Sequence, residues 1–294
     1  MAVFSPAEMS AVLVDAGSID PFRQLVDGVY DDGVVTVRRV SGPGAARLGL
    51  HRVGDRLVLQ HCLTDDDLDN DLTGRLAPLL TADAAAFERL FTGVVLTTGA
   101  DPVAAWTRYY QNTLERLTGP DPGDGSIGEF APIYRRARSL VRGDRVLDVG
   151  SCFGFLPMLV AEDGHDVLAC DVNPGSVRLL STVDARLTGR LTGRLRCVRC
   201  AAQNLPFPDA AFDTVLALHL LEHVNAAAGS QVVAEAVRVA RLRVVIAVPY
   251  EDEPAAAYGH VRTLDHEALD ALGGRTGLRF EVLDSDGGWL VIDR

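Results

Sequence analysis

The chain has no lysine; all 28 of its basic residues are arginine. That absence excludes Schiff-base chemistry and a lysine-bearing phosphate loop. No apolar run approaches the ~20 residues that a membrane-spanning helix needs, the longest being stretches such as Val244–Pro249. The opening Met-Ala-Val-Phe-Ser-Pro-Ala-Glu has no basic region followed by a long apolar stretch, so no secretory signal is expected. Cysteines are few and odd in number: Cys62, Cys152, Cys170, Cys197 and Cys200. Most sit in apolar segments, which fits reduced thiols in a cytoplasmic protein. Cys197-x-x-Cys200 has neither a second pair nor a redox turn beside it and reads as strand filling. Positive charge is also short. Forty acidic residues against 28 basic ones leave −12, so nucleic acid is not an expected partner.

What is present describes a globular protein. With 48% apolar and 23% charged residues the chain can bury a substantial core, and 294 residues suit one large or two modest domains. The two parts of the sequence have different grammar. In residues 1–120, Val34–Val37 and Arg56–Gln60 read as strands, and Ala82–Leu90 and Pro102–Leu117 as helices. The second of these helices follows Asp101, has proline at its first position and stops at Gly119-Pro120. The run Thr64–Asp71 lacks the glycine and the terminal glutamate of a calcium loop and reads as a solvated acidic loop. Turn residues crowd over 119–126 as a linker.

From residue 121 onward strands and helices alternate. Strands are expected at Arg145–Asp148, Asp166–Asp171, Leu195–Cys200, Phe212–Leu218 and Arg243–Val248. Helices are expected at Leu156–Glu162, Ser176–Ala185 and Gln231–Ala240, and a final strand pair at Leu278–Leu283 and Gly287–Ile292. This alternation predicts an α/β fold with a mostly parallel sheet covered on both faces. A smaller α+β N-terminal region precedes it.

The first of these strands runs into Asp148-Val-Gly150-Ser151-Cys152-Phe-Gly154 at the start of a helix, where ligands of parallel sheets bind. The next strand ends in Asp171, placed to accept from two ribose hydroxyls. A dinucleotide fingerprint fits poorly, because Cys152 takes the second glycine's place and Leu156 or Pro157 follows where the third is expected. A tight turn without a ligand stays open on this motif alone. Asp148, two residues before the first glycine, would repel a pyrophosphate and suits an amine cation.

Here the sequence resembles the class I S-adenosylmethionine-dependent methyltransferases, from about Tyr134 to its end. Val-Leu-Asp148-Val-Gly-Ser-Cys-Phe-Gly154 matches the motif for the methionine part of the cofactor. Ala-Cys-Asp171-Val172-Asn matches the ribose acid, and Cys200-Ala-Ala202-Gln203-Asn-Leu-Pro-Phe-Pro-Asp the stretch flanking the adenine. Leu-Leu-Glu222-His223-Val continues the order, and the antiparallel last pair fits the same Rossmann-like, seven-stranded sheet. The resemblance implies S-adenosyl-L-methionine held by Tyr134, Asp148, Gly150, Ser151, Gly154, Asp171, Val172, Ala202 and Gln203. Two positions depart from the family: Cys152 replaces a glycine, and Ala201 stands where many relatives carry an adenine-binding aspartate.

His219-Leu-Leu-Glu222-His223 spells an inverted zincin pattern, but it follows a buried strand of a parallel sheet and no third ligand is evident downstream. The quinone O-methyltransferases that this region resembles bind a divalent ion at this place, which implies His219, Glu222 and His223 as ligands of a metal such as magnesium. Metal-free base catalysis by His223, aided by His219 and Glu222, is the other reading, and a purely structural role for the loop is a third. His260 and Arg262 are expected to contact the acceptor, while Trp106, Tyr109 and Tyr110 read as a packing face.

The expected activity is O-methylation of a hydroxyl on a small-molecule or glycan acceptor. The N-terminal segment and Val-Pro-Tyr250-Glu-Asp-Glu-Pro with Gly-His260-Val-Arg-Thr are similar to the methyltransferases that accompany mycofactocin and methylate its glucose chain. That likeness implies an oligosaccharide acceptor, with residues 1–120 selecting it and 121–294 catalysing. A small phenol or quinol is the alternative acceptor, and a methyltransferase-like protein that binds without turnover is the alternative class.

Overall fold

A computed structural model of the chain describes residues 19–42, 47–80, 84–99, 101–187 and 193–294. The N-terminal octapeptide considered above lies outside them. Four short strands, β1 (Val29–Asp31), β2 (Val35–Arg39), β3 (Leu48–Val53) and β4 (Arg56–His61), form a sheet in the order β1-β2-β4-β3. Helices α1 (Asp71–Leu76), α2 (Ala84–Thr98), α3 (Pro102–Thr118) and α4 (Ser126–Leu140) follow. Asp101 caps α3 as its sequence predicts, accepting from the amides of Val103 and Ala104 at 3.0 Å.

The larger sheet comprises β5 (Arg145–Val149), β6 (Asp166–Asp171), β7 (Leu195–Arg199), β8 (Phe212–Leu218), β9 (Ala240–Val248), β10 (Arg279–Asp284) and β11 (Gly288–Asp293). Its order is β10-β11-β9-β8-β5-β6-β7. All pairs from β9 to β7 are parallel, and β11 runs antiparallel to both of its neighbours. Helices α5 (Phe155–Glu162), α6 (Pro174–Arg186), α7 (Ala226–Val239) and α8 (His266–Gly274) connect these strands. Every residue of β8 is buried, as expected for a central strand covered on both faces. This is the mostly parallel α/β sheet that the alternation of elements predicted, with the seven strands and antiparallel last pair that the resemblance implied and a smaller N-terminal sheet before it.

One cluster of buried side chains runs from Tyr30 and Val37 through Phe91, Trp106 and Tyr109 to Phe155, Leu180 and Trp289. Trp106, Tyr109 and Tyr110 are buried within it and pack, as expected. The acidic run is a correction. Asp65–Asp67 form a single 3-10 turn, and Asp69 is buried rather than solvated. Arg116, on α3 and 47 residues from Asp69 in sequence, reaches Asp69 at 2.7 Å and Asp71 at 2.5 Å, which makes burial of the acids tolerable. No helix among the described residues is long and apolar enough to cross a membrane.

Candidate active site

The chain leaves β5 toward β6 and β7, then returns on the other side of β5 as β8. The carboxyl ends of β5 and β8 therefore flank the switch point where open parallel sheets bind ligands. The turn after β5 is left-handed at Gly150 (φ 75°), Cys152 (φ 50°) and Gly154 (φ 77°). At Gly154 a side chain would also clash with Leu180. The family's middle glycine has a physical reason, since Cys152 takes up a conformation that costs an L-residue about 1–2 kcal/mol.

Four amides of this turn are already committed. Gly150 and Ser151 donate to the Cys170 carbonyl at 2.8 and 3.0 Å. Cys152 donates to the Asp171 carboxylate at 2.8 Å, and Gly154 to the Ser151 carbonyl at 2.7 Å. A phosphate cradle needs such amides free, so the turn is built for something else.

The acids say what. Asp148 is 3% exposed, and burial, with Asp171 second, pushes its pKa up to about 7. Burial also raises Asp171, although it accepts from the amides of Asn173 and Cys152. Cys152 is exposed, but desolvation by the atoms crowded around its thiol, then Asp171, pushes it up to about 12 and leaves it neutral. Two crowded carboxylates without a cation between them suit a positively charged ligand. Tyr134 is half-buried, its ring 5.5 Å from Phe130, and burial raises its hydroxyl, with Cys152 and Asp148 adding to the effect. Val172 is exposed beside Asp171. Ala202 and Gln203, half-buried, lie in the turn that Ala201 and Asn204 bridge. The Cys200 amide ties the start of that turn to the Asp171 carbonyl at 3.1 Å.

A second constellation stands at the end of β8. His219 is left-handed (φ 51°), and its amide donates to the Ala247 carbonyl at 2.8 Å. Its ring packs on Phe130 at 5.1 Å, with Nδ1 3.4 Å from Glu222 Oε1. Glu222 is 1% exposed, yet neither carboxylate oxygen has a hydrogen-bond partner. His223 meets His260 edge to face at 4.8 Å. The residue is exposed, but partial desolvation of its ring lowers its pKa, which keeps the imidazole neutral near pH 7. His260 Nδ1 lies 2.8 and 3.0 Å from the two oxygens of Glu251. One ligand atom from each of Glu222, His223 and His260 lies within 4.8 Å of the others, a grouping that His219 does not join. Arg262 donates through Nε to the Leu221 carbonyl at 3.0 Å, while its Nη2 is buried without a partner.

Several residues at this crevice were not singled out from sequence. Glu88 on α2 lies in electrostatic reach of Asp171 and Cys152. Phe87 on the same helix packs edge-on against Tyr258 at 6.0 Å, and Tyr258 lies 6.1 Å from His260. Glu251 follows β9 in a loop whose return to β8 no local pattern announces. Beside these groups is a cavity of about 520 Å³ lined by Asp69, Asp71, Arg75, Arg116, Glu129 and Tyr258 among others.

Residues 147–248 match a family described as "Methyltransferase domain". That stretch runs from β5 to β9 and carries the likeness to a methyltransferase domain. The chain is 36% identical over 88 residues to a ubiquinone/menaquinone biosynthesis C-methyltransferase of Azotobacter vinelandii, covering 29% of this chain and 34% of that protein. It is 42% identical over 78 residues to the enzyme of the same description from Xanthomonas oryzae pv. oryzae, covering 25% and 29%. The chain thus spans about a third of the length of these curated relatives. A solved SAM-dependent methyltransferase of Methanosarcina mazei is 18% identical with a TM-score of 0.45, covering 55% of this chain and 97% of that one.

Proposed function

We propose that the protein transfers the methyl group of S-adenosyl-L-methionine to a hydroxyl of a polyol acceptor, a sugar of a mycofactocin-linked glucan. In this reading Asp148 and the turn Gly150–Gly154 face the methionine end of the donor, with Tyr134 over it. Asp171 takes the ribose, with Val172, Ala202 and Gln203 around the base. The observation that carries the donor reading is the pair Asp148 and Asp171, crowded carboxylates at adjacent strand ends. A sulfonium with an α-ammonium group relieves their mutual repulsion.

The reaction is an in-line displacement: the acceptor oxygen bonds to the methyl carbon as the carbon–sulfur bond breaks, leaving S-adenosylhomocysteine. The donor supplies the electrophile, so the protein's main contribution is alignment. The acceptor proton passes to the cluster after β8, where His223 is neutral and Glu222 and His219 stand next to it. Residues 1–120 act as the acceptor-selecting part, since α2 brings Phe87 and Glu88 to the crevice. The cavity beside Tyr258, lined by carboxylates and arginines, suits sugar hydroxyls better than an apolar ring.

A second reading follows from the relatives, which are described as C-methyltransferases of quinone biosynthesis. It predicts a small phenol or quinol as acceptor, with methylation at carbon or oxygen. Incubation with methyl-labelled donor and either glucose oligosaccharides or quinols separates the two. An alkali-stable methyl ether on the sugar supports the first, and label on the aromatic product the second. Donor binding without transfer to any acceptor of either class turns the assignment to a binding protein.

A further inference from the structure

We propose that the amino ends of β5, β6, β7 and β8 form a binding site for one small aromatic carboxylate of the benzoate type, its charge met by Arg145 and Arg196 and its ring by Leu168, Phe207 and Phe212. The inference begins with the strand register. Arg145 faces Asp166 across β5 and β6, and Leu168 faces Arg196 across β6 and β7. Paired residues of a parallel sheet share a face, as do residues two apart on one strand. These four side chains therefore emerge on the same side. Phe212 opens β8 beside them, and with Phe207 they border a cavity of about 280 Å³.

The Phe207 wall is held from behind. Arg238 on α7 donates to the Phe207 carbonyl at 2.7 Å and to the Leu205 carbonyl at 2.9 Å. Glu235 on the same helix accepts from the Leu205 amide at 2.8 Å and from Arg238 Nε at 2.7 Å. The Phe207 ring then meets Phe212 edge-on at 5.1 Å. Both rings, with Leu168, belong to a second cluster of apolar side chains that includes Leu147 and Val215. Aromatic walls fixed in this way lose little freedom when the cavity fills.

The charges select the ligand. Arg145 sets its guanidinium over the Phe212 ring, 5.6 Å from the centroid. Asp166 lies 3.8 Å from Arg194, while among the described residues Arg145 and Arg196 take part in no ion pair. Two such guanidinium groups beside an apolar floor attract an anion, in a chain whose net charge is −12. A guanidinium grips a planar carboxylate through two parallel bonds, and an aromatic ring packs on the phenylalanines behind it. Asp166 on the same rim disfavours a dianion such as phosphate. The cavity falls just below the ~300–1,000 Å³ of ordinary ligand pockets, which suits a single ring and excludes a nucleotide. Roughly 15 Å of strand separates it from the crevice at the carboxyl ends. Its ligand is therefore neither donor nor acceptor of a methyl group, and the inference does not rest on that reading.

The test titrates benzoate into the full chain and follows the ligand by saturation-transfer NMR. Saturable binding with a dissociation constant of about 1 mM or tighter is expected. Benzamide, which has the same shape without the charge, and inorganic phosphate should each bind at least about tenfold more weakly. R145Q and R196Q should each weaken benzoate at least about tenfold. Their melting temperatures should stay at the wild-type value, because both side chains are exposed. R196E, which reverses the charge at the rim, should abolish binding. Benzoate affinity unchanged in both R145Q and R196Q would place the probe elsewhere on the protein and overturn the proposal. Absence of saturation in the wild-type chain up to about 10 mM benzoate overturns it as well.

Discussion

The Tyr110 hydroxyl donates to the Phe153 carbonyl over 2.6 Å, joining the third N-terminal helix to the glycine turn after β5. Tyr110 is fully buried, and Phe153 packs against Phe91, Trp106 and Tyr109 with ring centroids 5.4 to 6.1 Å apart. The turn after β5 is therefore not held by the parallel sheet alone. Its tip is fixed from above by residues that precede that sheet in the chain.

Replacing Tyr110 with Phe keeps the ring and deletes that bond, leaving the Phe153 carbonyl unpaired. The expected loss is about 1–3 kcal/mol of stability, read as a shift in the chemical denaturation midpoint. Donor affinity should fall with it, since Phe153 lies inside the turn. Unchanged affinity alongside lower stability would mean that the N-terminal region supports the fold but not the donor site.

Cys152→Gly is expected to stabilise the protein. The left-handed backbone at φ 50° strains a side chain there and is free of strain for glycine. Relief of about 1 kcal/mol corresponds to a melting-temperature rise of about 2–4 °C in a protein of this size. A fall in melting temperature would show that the packing of the thiol outweighs the strain.

The larger sheet was legible because its strands are apolar runs bounded by turn residues, and β6 and β8 coincide with the expected ranges. Asp148, Gly150, Gly154 and Asp171 could be singled out because their chemistry is tied to strand ends only a helix apart. Glu251 and Glu88 could not. Glu251 reaches His260 across a nine-residue loop with no periodicity, and Glu88 reaches the Asp171 wall only through packing of α2. The short β1 and β3 strands were missed for a related reason. At three and six residues, with exposed positions at their ends, they carry too little alternation to be seen.

The acidic segment gives a stability prediction. Arg116 bonds to Asp69, to Asp71 and to the Pro122 carbonyl at 2.6 Å. Asp71 in turn accepts the Ile127 amide at 2.9 Å, at the start of α4. Arg116→Met retains much of the apolar stem and leaves two acids facing each other. The expected cost is about 2–4 kcal/mol, with faster amide exchange across 121–127. A loss below about 0.5 kcal/mol would mean that solvent screens the pair as it does an exposed bridge.

The proposed place of Asp148 at the donor's charged end makes donor binding depend on pH. Burial raises its pKa to about 7, against about 3.9 in an unfolded chain. Between those values the folded protein holds a proton that the unfolded chain has lost. This group's contribution to stability therefore falls as pH rises through that window and levels off above about 7. Donor binding runs the other way, because a cationic ligand favours the ionised carboxylate. Affinity for S-adenosyl-L-methionine should rise about tenfold per pH unit below 7 and flatten above it. Binding near pH 6 should release a proton, detectable by calorimetry in buffers of different ionisation heat. Asp148→Asn should bind more weakly with no such slope. A flat profile in the wild-type protein would place the donor's charge away from Asp148 and leave Asp171 as the acid that meets it.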